Sequence, residues 1–131
     1  MMSQSDRLRR LVADELGDCC AEDVKHRQEQ LRELKASTPM ADATDHVSVL
    51  STLSDDTRYR LTRLIASGGE RCVCELEVLV DVSESAVSHA LSDLVEVGLL
   101  TRRKEGKWRY YRTTDRAEAV LAALDETGGE Q

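Results

Sequence analysis

Two helical patterns in the middle of the chain are separated by only three residues, Asp81-Val82-Ser83. The apolar residues of the first pattern are Val73, Leu76, Leu79 and Val80, and those of the second are Val87, Ala90, Leu91, Leu94 and Val95. Apolar residues spaced three and four apart lie on one face of a helix, so each helix buries one side. Two short helices joined by a tight turn are typical of a helix-turn-helix, and the sequence predicts one here.

The polar face of the second helix carries short side chains that can read DNA. These residues are Ser85, Ser88, His89 and Ser92, and Ser83 is placed to cap the start of the helix. Hydroxyl and imidazole groups can hydrogen-bond to base edges or to phosphate oxygens. An ordinary amphipathic surface helix fits the same pattern, so the choice depends on the neighbouring segments. We interpret the helix as a recognition helix because a basic segment comes directly after it in the chain.

The segment after this helix predicts a basic β-hairpin, or wing. Gly98 is suited to end the helix, and residues 99–104 and 107–112 resemble two strands around a Glu105-Gly106 turn. Residues 101–112 include six cationic and one anionic residue, a net charge of +5, although the whole chain carries −7. A basic segment on an acidic protein is expected where phosphates bind, although a solvated hairpin is the alternative. The candidate phosphate contacts are Arg102, Arg103, Lys104, Lys107 and Arg109, whereas Trp108 and Tyr110 are predicted to anchor the hairpin to the core.

The flanking sequence predicts further helices on both sides of this unit. Residues 5–16 and 21–35 give two polar helical patterns before Pro39, so residues 1–40 are expected to form an N-terminal helical extension. In the main domain, helices are predicted from Val47, Leu50 and Leu53, from Leu61, Leu64 and Ile65 after a cap at Ser54, and from Ala117, Val120, Leu121 and Leu124. The predicted fold is mainly α with a small β-hairpin. It is a winged helix-turn-helix of order α-α-α-α-β-β-α over residues 41–127.

Composition excludes several classes of protein. The chain contains no apolar run near 18 residues and no secretion signal, so we expect a cytoplasmic protein without a membrane partner. In a reducing compartment, its four cysteines are more often ligands or sensors than disulfides. There is no Cys-x-x-Cys motif in a βαβ pattern and no nucleophile with an assigned base, which disfavours a thiol oxidoreductase or any other enzyme.

The segment from about Asp45 to Leu124 resembles the ArsR/SmtB family of metal-responsive winged-helix repressors. The matching sequences are Leu53-Ser54-Asp55-Asp56-Thr57-Arg58, Cys72-Val73-Cys74-Glu75-Leu76, Val82-Ser83-Glu84-Ser85-Ala86-Val87-Ser88-His89-Ala90-Leu91, Gly98-Leu99-Leu100 and Arg103-Lys104-Glu105-Gly106-Lys107-Trp108-Arg109-Tyr110-Tyr111. The resemblance implies a homodimer paired through the first and last helices of the domain. It also implies binding to a partly palindromic double-stranded operator, with release when metal binds.

Cys72 and Cys74 are the leading candidates for metal ligands. Residues i and i+2 lie about 200° apart on a regular helix, so these thiols converge only if the chain is extended there or the first turn is unwound. A helix N-terminus is expected to lower the thiol pKa and to favour thiolate. Metal held by both sulfurs would distort the helix that supports the recognition helix. The alternative is that both cysteines are small buried apolar residues.

The resemblance leaves the identity of the metal open. The arsenic-sensing pattern places a third cysteine where this chain has Glu77, which we interpret as a first-turn anion. The cadmium- and lead-sensing branch pairs N-terminal cysteines with the Cys-x-Cys pair of the opposite subunit, and Cys19 and Cys20 are candidates for that role. An incidental cysteine pair is the alternative. The closing helix contains no histidine, so the family's zinc site is disfavoured.

These observations predict a DNA-binding repressor that is released from its operator by a soft metal(loid) ion. The expected inducers are arsenite or antimonite, held by three sulfurs, or cadmium, lead or mercury, held by three or four. No organic cofactor is expected. The alternative function is a transcriptional regulator that responds to oxidation of the same thiols.

Overall fold

The computed structural model describes residues 3–17 and 21–128, which form two compact units. The first unit ends at Ala41 and contains α1 (Gln4–Leu16) and α2 (Ala21–Ser37). Val12 and Val24 are buried, and Arg27 donates to Glu15 across 2.6 Å, which joins the two helices. The two predicted N-terminal helices are therefore present.

The second unit begins at Asp42 and has the predicted winged helix-turn-helix architecture. Its elements are α3 (Ala43–Leu53), α4 (Asp56–Gly68), β1 (Arg71–Cys72), α5 (Val73–Leu79), α6 (Glu84–Glu96), β2 (Leu100–Glu105), β3 (Trp108–Thr113) and α7 (Asp115–Thr127). The predicted fold class is confirmed. Strand β1 was not predicted, because two residues are too few for an alternating pattern to be recognised.

Local hydrogen bonds explain where the helices of this unit begin and end. Ser83 caps α6 as predicted, since its Oγ accepts from the Ala86 N–H at 3.2 Å. Gly98, at φ 78°, allows the Leu99 N–H to reach the Leu94 carbonyl at 2.9 Å and so closes the helix. The predicted cap of α4 is wrong by one residue. Asp55 accepts from the Arg58 N–H, whereas the Ser54 N–H still bonds to Leu50 at the end of α3.

The wing is the larger part of a three-stranded antiparallel sheet of order β1-β3-β2. The pairing of Glu105 with Trp108 places Gly106-Lys107 in the turn, one residue later than predicted. Gly106 has φ 61°, a left-handed conformation that glycine adopts without a steric penalty. The short strand β1 joins the other edge of β3 and connects the wing to the start of α5.

The core joins the inner faces of α3, α4, α5, α6 and α7 to the base of the sheet. Its buried residues are Val49, Leu53, Leu61, Ile65, Leu76, Val87, Ala90, Leu91, Leu94, Leu99, Leu100, Tyr111 and Ala117. Tyr111 is 2% exposed and anchors the wing, whereas Trp108 is 46% exposed. The predicted anchoring role of Trp108 is therefore wrong. Strand alternation determines which residues share a face, but not which face meets the core.

Helix α3 forms where it was predicted, but only Leu53 of the three apolar residues that indicated it is buried. Val49 and Leu53 are buried, but Val47 and Leu50 are 62% and 61% exposed. No helix among the described residues has the length and apolar composition needed to cross a membrane.

Candidate functional site

The predicted reading face of α6 is open to solvent. Ser85, Ser88, His89 and Ser92 are all exposed, while Val87, Ala90, Leu91 and Leu94 on the opposite face are buried. Because Ser83 Oγ accepts the Ala86 N–H, its side chain also fixes the start of the helix. Residues 84–96 contain no lysine or arginine, so α6 offers hydrogen-bonding groups but no cationic side chain.

All five predicted phosphate contacts are exposed on the wing, but four of them differ from Arg103 in their partners. Within residues 3–17 and 21–128, the side chains of Arg102, Lys104, Lys107 and Arg109 make no hydrogen bond or ion pair. Lys107 Nζ lies 5.1 Å from the centre of the Trp108 ring, a cation–π contact near the turn. These four cations are therefore available to bind an external anion.

Arg103 differs from the other wing cations because the protein already holds its guanidinium. Its Nε and Nη2 donate to the Glu70 carboxylate at 3.0 and 2.8 Å, and its Nη1 donates to Glu105 at 3.0 Å. The guanidinium also lies 4.6 Å from the centre of the Tyr110 ring. These bonds raise the pKa of Arg103, and Arg103 in turn lowers the pKa of Glu70. In this arrangement Arg103 is less available to DNA than its neighbours.

The thiols of Cys72 and Cys74 lie together at the start of α5. Cys72 is the N-cap, with φ −77° and ψ 151°, and Cys74 follows in the first turn. Cys74 Sγ donates to Cys72 Sγ at 3.0 Å. The chain is therefore extended at Cys72, which is one of the two ways in which an i, i+2 pair can converge. Pairing of β1 with β3 holds it there, since Cys72 is opposite Tyr110.

Exposure and hydrogen bonding distinguish the two thiols. Cys72 is 5% exposed, whereas Cys74 is exposed to solvent. The Cys72 N–H donates to the Glu75 carboxylate at 3.0 Å, so Glu75 is the first-turn anion of α5. The predicted first-turn role of Glu77 is wrong, because α5 begins at Val73 and Glu77 falls in its second turn.

The expected lowering of the thiol pKa is wrong for Cys74. Its pKa is raised, first because its proton is hydrogen-bonded to Cys72. Desolvation by neighbouring atoms and the charges of Cys72 and Glu75 act in the same direction. The adjacent sulfur and carboxylate therefore outweigh the effect of the helix N-terminus on this pKa.

The described part of the chain brings two thiols together at this site. Among residues 3–17 and 21–128, no group of three or more His, Cys, Asp and Glu side chains is arranged to hold a metal ion. Cys19 and Cys20 lie outside the described residues. Their predicted role as ligands stays a prediction.

Glu70 connects the segment that carries the thiols to the wing, and the sequence analysis did not identify it. It precedes β1 directly and binds Arg103 from the opposite edge of the sheet. The feature of the sequence that could have indicated this pair is an acidic residue two positions before Cys72 in a chain with a basic hairpin. Only the strand pairing shows that these two segments meet.

Comparison with known proteins identifies the family. The model for bacterial regulatory proteins of the arsR family matches residues 55–102, which extend from the start of α4 into β2. A Halobacterium salinarum protein described as a putative arsenical resistance operon repressor, ArsR, is 49% identical over 125 residues, covering 95% of this chain and 97% of the relative. The chain belongs to the ArsR family. It is a DNA-binding transcriptional regulator and not an enzyme, as the sequence predicted.

Two further relatives of this ArsR-family protein extend the comparison. A Staphylococcus aureus homologue of the cadmium resistance regulator CadC is 36% identical over 84 residues, which cover 64% of this chain and 66% of the relative. The structure of a homodimeric winged helix-turn-helix DNA-binding domain from Mycobacterium bovis superposes with a TM-score of 0.58 and 26% identity, covering 72% of this chain and 89% of that one. The relatives thus include arsenic and cadmium resistance regulators and a homodimer.

Proposed function

We propose that this ArsR-family protein is a repressor that a soft metal(loid) ion releases from its operator. The observation that carries the proposal is the 3.0 Å approach of Cys72 Sγ and Cys74 Sγ at the start of α5. Thiolates are the ligands that soft ions prefer, and two sulfurs this close can bind one ion together. The names of the arsenical and cadmium resistance relatives support the same class of inducer.

The ligand set requires sulfurs beyond this pair. Arsenite and antimonite are expected to take three thiolates, and cadmium, lead or mercury three or four. We propose Cys19 and Cys20 as the further ligands, since they are the only other cysteines of the chain. Cys72 and Cys74 would hold the ion against β1 and α5, and the thiol protons would be released as it binds.

The proposed DNA contacts come from α6 and the wing. We place Ser85, Ser88, His89 and Ser92 in the major groove, because they form the exposed face of the second helix of a helix-turn-helix. Ser83, at the N-terminus of that helix, would contact the DNA backbone. Arg102, Lys104, Lys107 and Arg109 would bind phosphates or the minor groove, since no carboxylate in the described chain pairs with them.

The homodimer is proposed to form through α3 and α7. Val47, Leu50 and Leu124 are 62%, 61% and 48% exposed. Arg116 on α7 donates to Asp45 on α3 at 3.0 Å, an exposed ion pair that links the two helices. Large apolar side chains left open on adjacent helices are typical of a subunit interface. A twofold dimer would present two recognition helices to two half-sites.

The thiol pair can influence DNA binding because α5 supports α6. Leu76 of α5 and Val87 of α6 are both fully buried in the same core cluster. Close-packed cores transmit displacements, so an ion that draws Cys72 and Cys74 into a new geometry would shift the α5 backbone and tilt α6. Inducer binding and operator binding would then oppose each other, and the coupling would be reciprocal.

The decisive experiment measures operator affinity with and without arsenite or cadmium for the native protein and for Cys72→Ser. We expect the ion to weaken native binding by a factor of about 5 to 150, the usual range of allosteric coupling, and to leave Cys72→Ser unaffected. Ser67→Cys is a matched control, since it adds an exposed thiol on α4, outside the proposed DNA contacts and the proposed dimer helices. Equal affinities with and without each ion in the native protein would reject metal regulation.

A redox-responsive regulator is the second candidate, because the same 3.0 Å sulfur separation favours it. Oxidation of the pair would form one S–S bond, with two protons released and two electrons transferred to an oxidant such as hydrogen peroxide. Titration of reduced, metal-free protein with peroxide separates the two functions. Loss of operator binding in that titration, with none on adding arsenite or cadmium, would favour the redox function.

A further inference from the structure

Glu70 joins the segment that carries the thiols to the wing. The residue immediately precedes β1, and its two carboxylate oxygens accept three hydrogen bonds from Arg103 of β2, at 3.1, 3.0 and 2.8 Å. β1 and β2 are on opposite edges of the sheet, with β3 between them. The Glu70–Arg103 pair therefore spans the sheet from one edge strand to the other.

Cys72 and Arg103 are also connected through Tyr110 of β3. Tyr110 pairs with Cys72 on one side and with Arg103 on the other. Directly paired residues project from the same face of a sheet, so the three side chains form one row across the strands. The Arg103 guanidinium lies 4.6 Å from the centre of the Tyr110 ring. A displacement of Cys72 thus has two routes to Arg103, through Tyr110 and through Glu70.

We propose that Glu70 is a positioning residue that couples the thiol pair to the wing. The inference rests on the proposed function and deepens it, because it adds a route to DNA that does not pass through α5 and α6. An ion bound between the two sulfurs would change their 3.0 Å separation, and a shift of Cys72 would move β1 and, with it, Glu70. The hydrogen bonds from Arg103 to Glu70 would then change, and the hairpin that carries the cations would be reoriented.

The chain offers a matched pair of variants to test this role. Glu70→Gln removes the carboxylate that comes from outside the hairpin. Glu105→Gln removes the other carboxylate bound to Arg103, at 3.0 Å, which belongs to the hairpin itself. Both substitutions delete one charge paired with the same guanidinium, but only the Glu70 carboxylate links the segment before β1 directly to β2.

Trp108 supplies a readout that needs no DNA. It is the only tryptophan of the chain, it lies at the start of β3, and it is half-exposed. Its fluorescence in the free protein therefore reports movement of the wing when arsenite, or cadmium in a second series, is added. Ultraviolet sulfur-to-ion charge-transfer bands measure binding of the ion in the same samples.

We expect the native protein and Glu105→Gln to show an ion-dependent change in Trp108 fluorescence, and Glu70→Gln to lose most of it while binding the ion equally tightly. The ion-induced loss of operator affinity should fall at least about threefold in Glu70→Gln relative to Glu105→Gln, within the range of single-residue effects on coupling. Arg103→Gln cuts the same link from its other end and should reproduce the Glu70→Gln fluorescence result, with thermal unfolding of each variant as the check on folding.

The proposal fails if Glu70→Gln responds like the native protein, if Trp108 in the native protein does not respond to either ion, or if Glu70→Gln loses ion binding itself. Failure of the proposed function looks different. In that case arsenite and cadmium leave native operator affinity unchanged, whatever happens to Trp108. A fluorescence response that depends on Glu70 would then still establish the coupling.

Discussion

Helix α6, the proposed recognition helix, and the wing contribute opposite properties to the same regulator. Residues 84–96 contain three acidic residues and no lysine or arginine, a net charge of −3, whereas residues 101–112 carry +5. The helix presents serines and a histidine, which make short, directional hydrogen bonds. The wing presents long cations, whose attraction to phosphate does not depend on sequence. We therefore expect the helix to determine specificity and the wing to supply affinity.

The largest expected effect comes from removing wing cations. Lys104→Ala combined with Lys107→Ala should weaken binding to operator and to unrelated DNA alike, by about a hundredfold or more if both bind phosphate in each subunit. The slope of log affinity against log salt should decrease by about 0.9 for each phosphate that is no longer neutralised. Filter binding or fluorescence anisotropy over a salt series measures both quantities. An unchanged slope would mean that these lysines do not touch phosphate.

The recognition helix should give the complementary result. His89→Ala should cost about 1 to 3 kcal/mol on the preferred operator, the range for removing one base-specific interaction, and should leave affinity for unrelated DNA and the salt slope unchanged. Anisotropy with both DNAs provides the measurement. Glu96→Ala, an exposed position at the far end of α6, is the control. If His89→Ala weakens binding to both DNAs equally, His89 does not contribute to sequence specificity.

Gly98 connects α6 to the wing. Its φ of 78° is left-handed, and an added Cβ would meet no atom within 4 Å, so Gly98→Ala should lose about 1 to 2 kcal/mol of stability through backbone strain alone. Chemical denaturation measures this loss. Gly68→Ala is the matched control, because Gly68 belongs to the last turn of α4 and has no left-handed φ. If Gly98→Ala is as stable as Gly68→Ala, the left-handed φ at position 98 does not strain the alanine backbone.

The cap of α6 should have a smaller effect. Ser83→Ala removes the acceptor for the Ala86 N–H and should cost about 1 kcal/mol of unfolding free energy. Ser92→Ala removes a hydroxyl from the middle of the same exposed face and should leave stability nearly unchanged. Thermal unfolding of the two variants compares them directly.

The smallest expected effect concerns Arg103, the wing cation that forms ion pairs with Glu70 and Glu105. Arg103 lowers the pKa of Glu70 in the folded protein, so the pair stabilises the fold above the ordinary carboxyl pKa, and that contribution is lost as pH falls through the lowered value. The stability difference between the native protein and Arg103→Gln should therefore be present near neutral pH and disappear in acid. A difference that grows in acid would have the wrong sign.

The two regions were also unequally predictable. The apolar stripe of α6, its cap at Ser83 and its end at Gly98 are local features, each determined by residues within a few positions of one another. The side of the hairpin that meets the core is not local. Alternation placed Trp108 and Tyr110 on one face of β3, but Tyr111 on the other face is the residue that the core buries.

The thiol site shows the same division. The spacing of Cys72 and Cys74 showed that their sulfurs can meet only on a chain that departs from a regular helix. Whether the chain does so depends on β1, which exists because Arg71 and Cys72 pair with Tyr111 and Tyr110, almost 40 positions later in the sequence. The raised pKa of Cys74 follows from that approach, and so it could not be inferred from the helix N-terminus.

The helix-turn-helix, the basic hairpin and the cysteine pair follow from the sequence, because periodicity, capping residues and charge act over short distances along the chain. The 3.0 Å separation of the sulfurs, the bonds from Arg103 to Glu70 and the exposure of Val47 and Leu50 follow only from the folded structure. These properties depend on which segments pack together, and packing is set by the whole core.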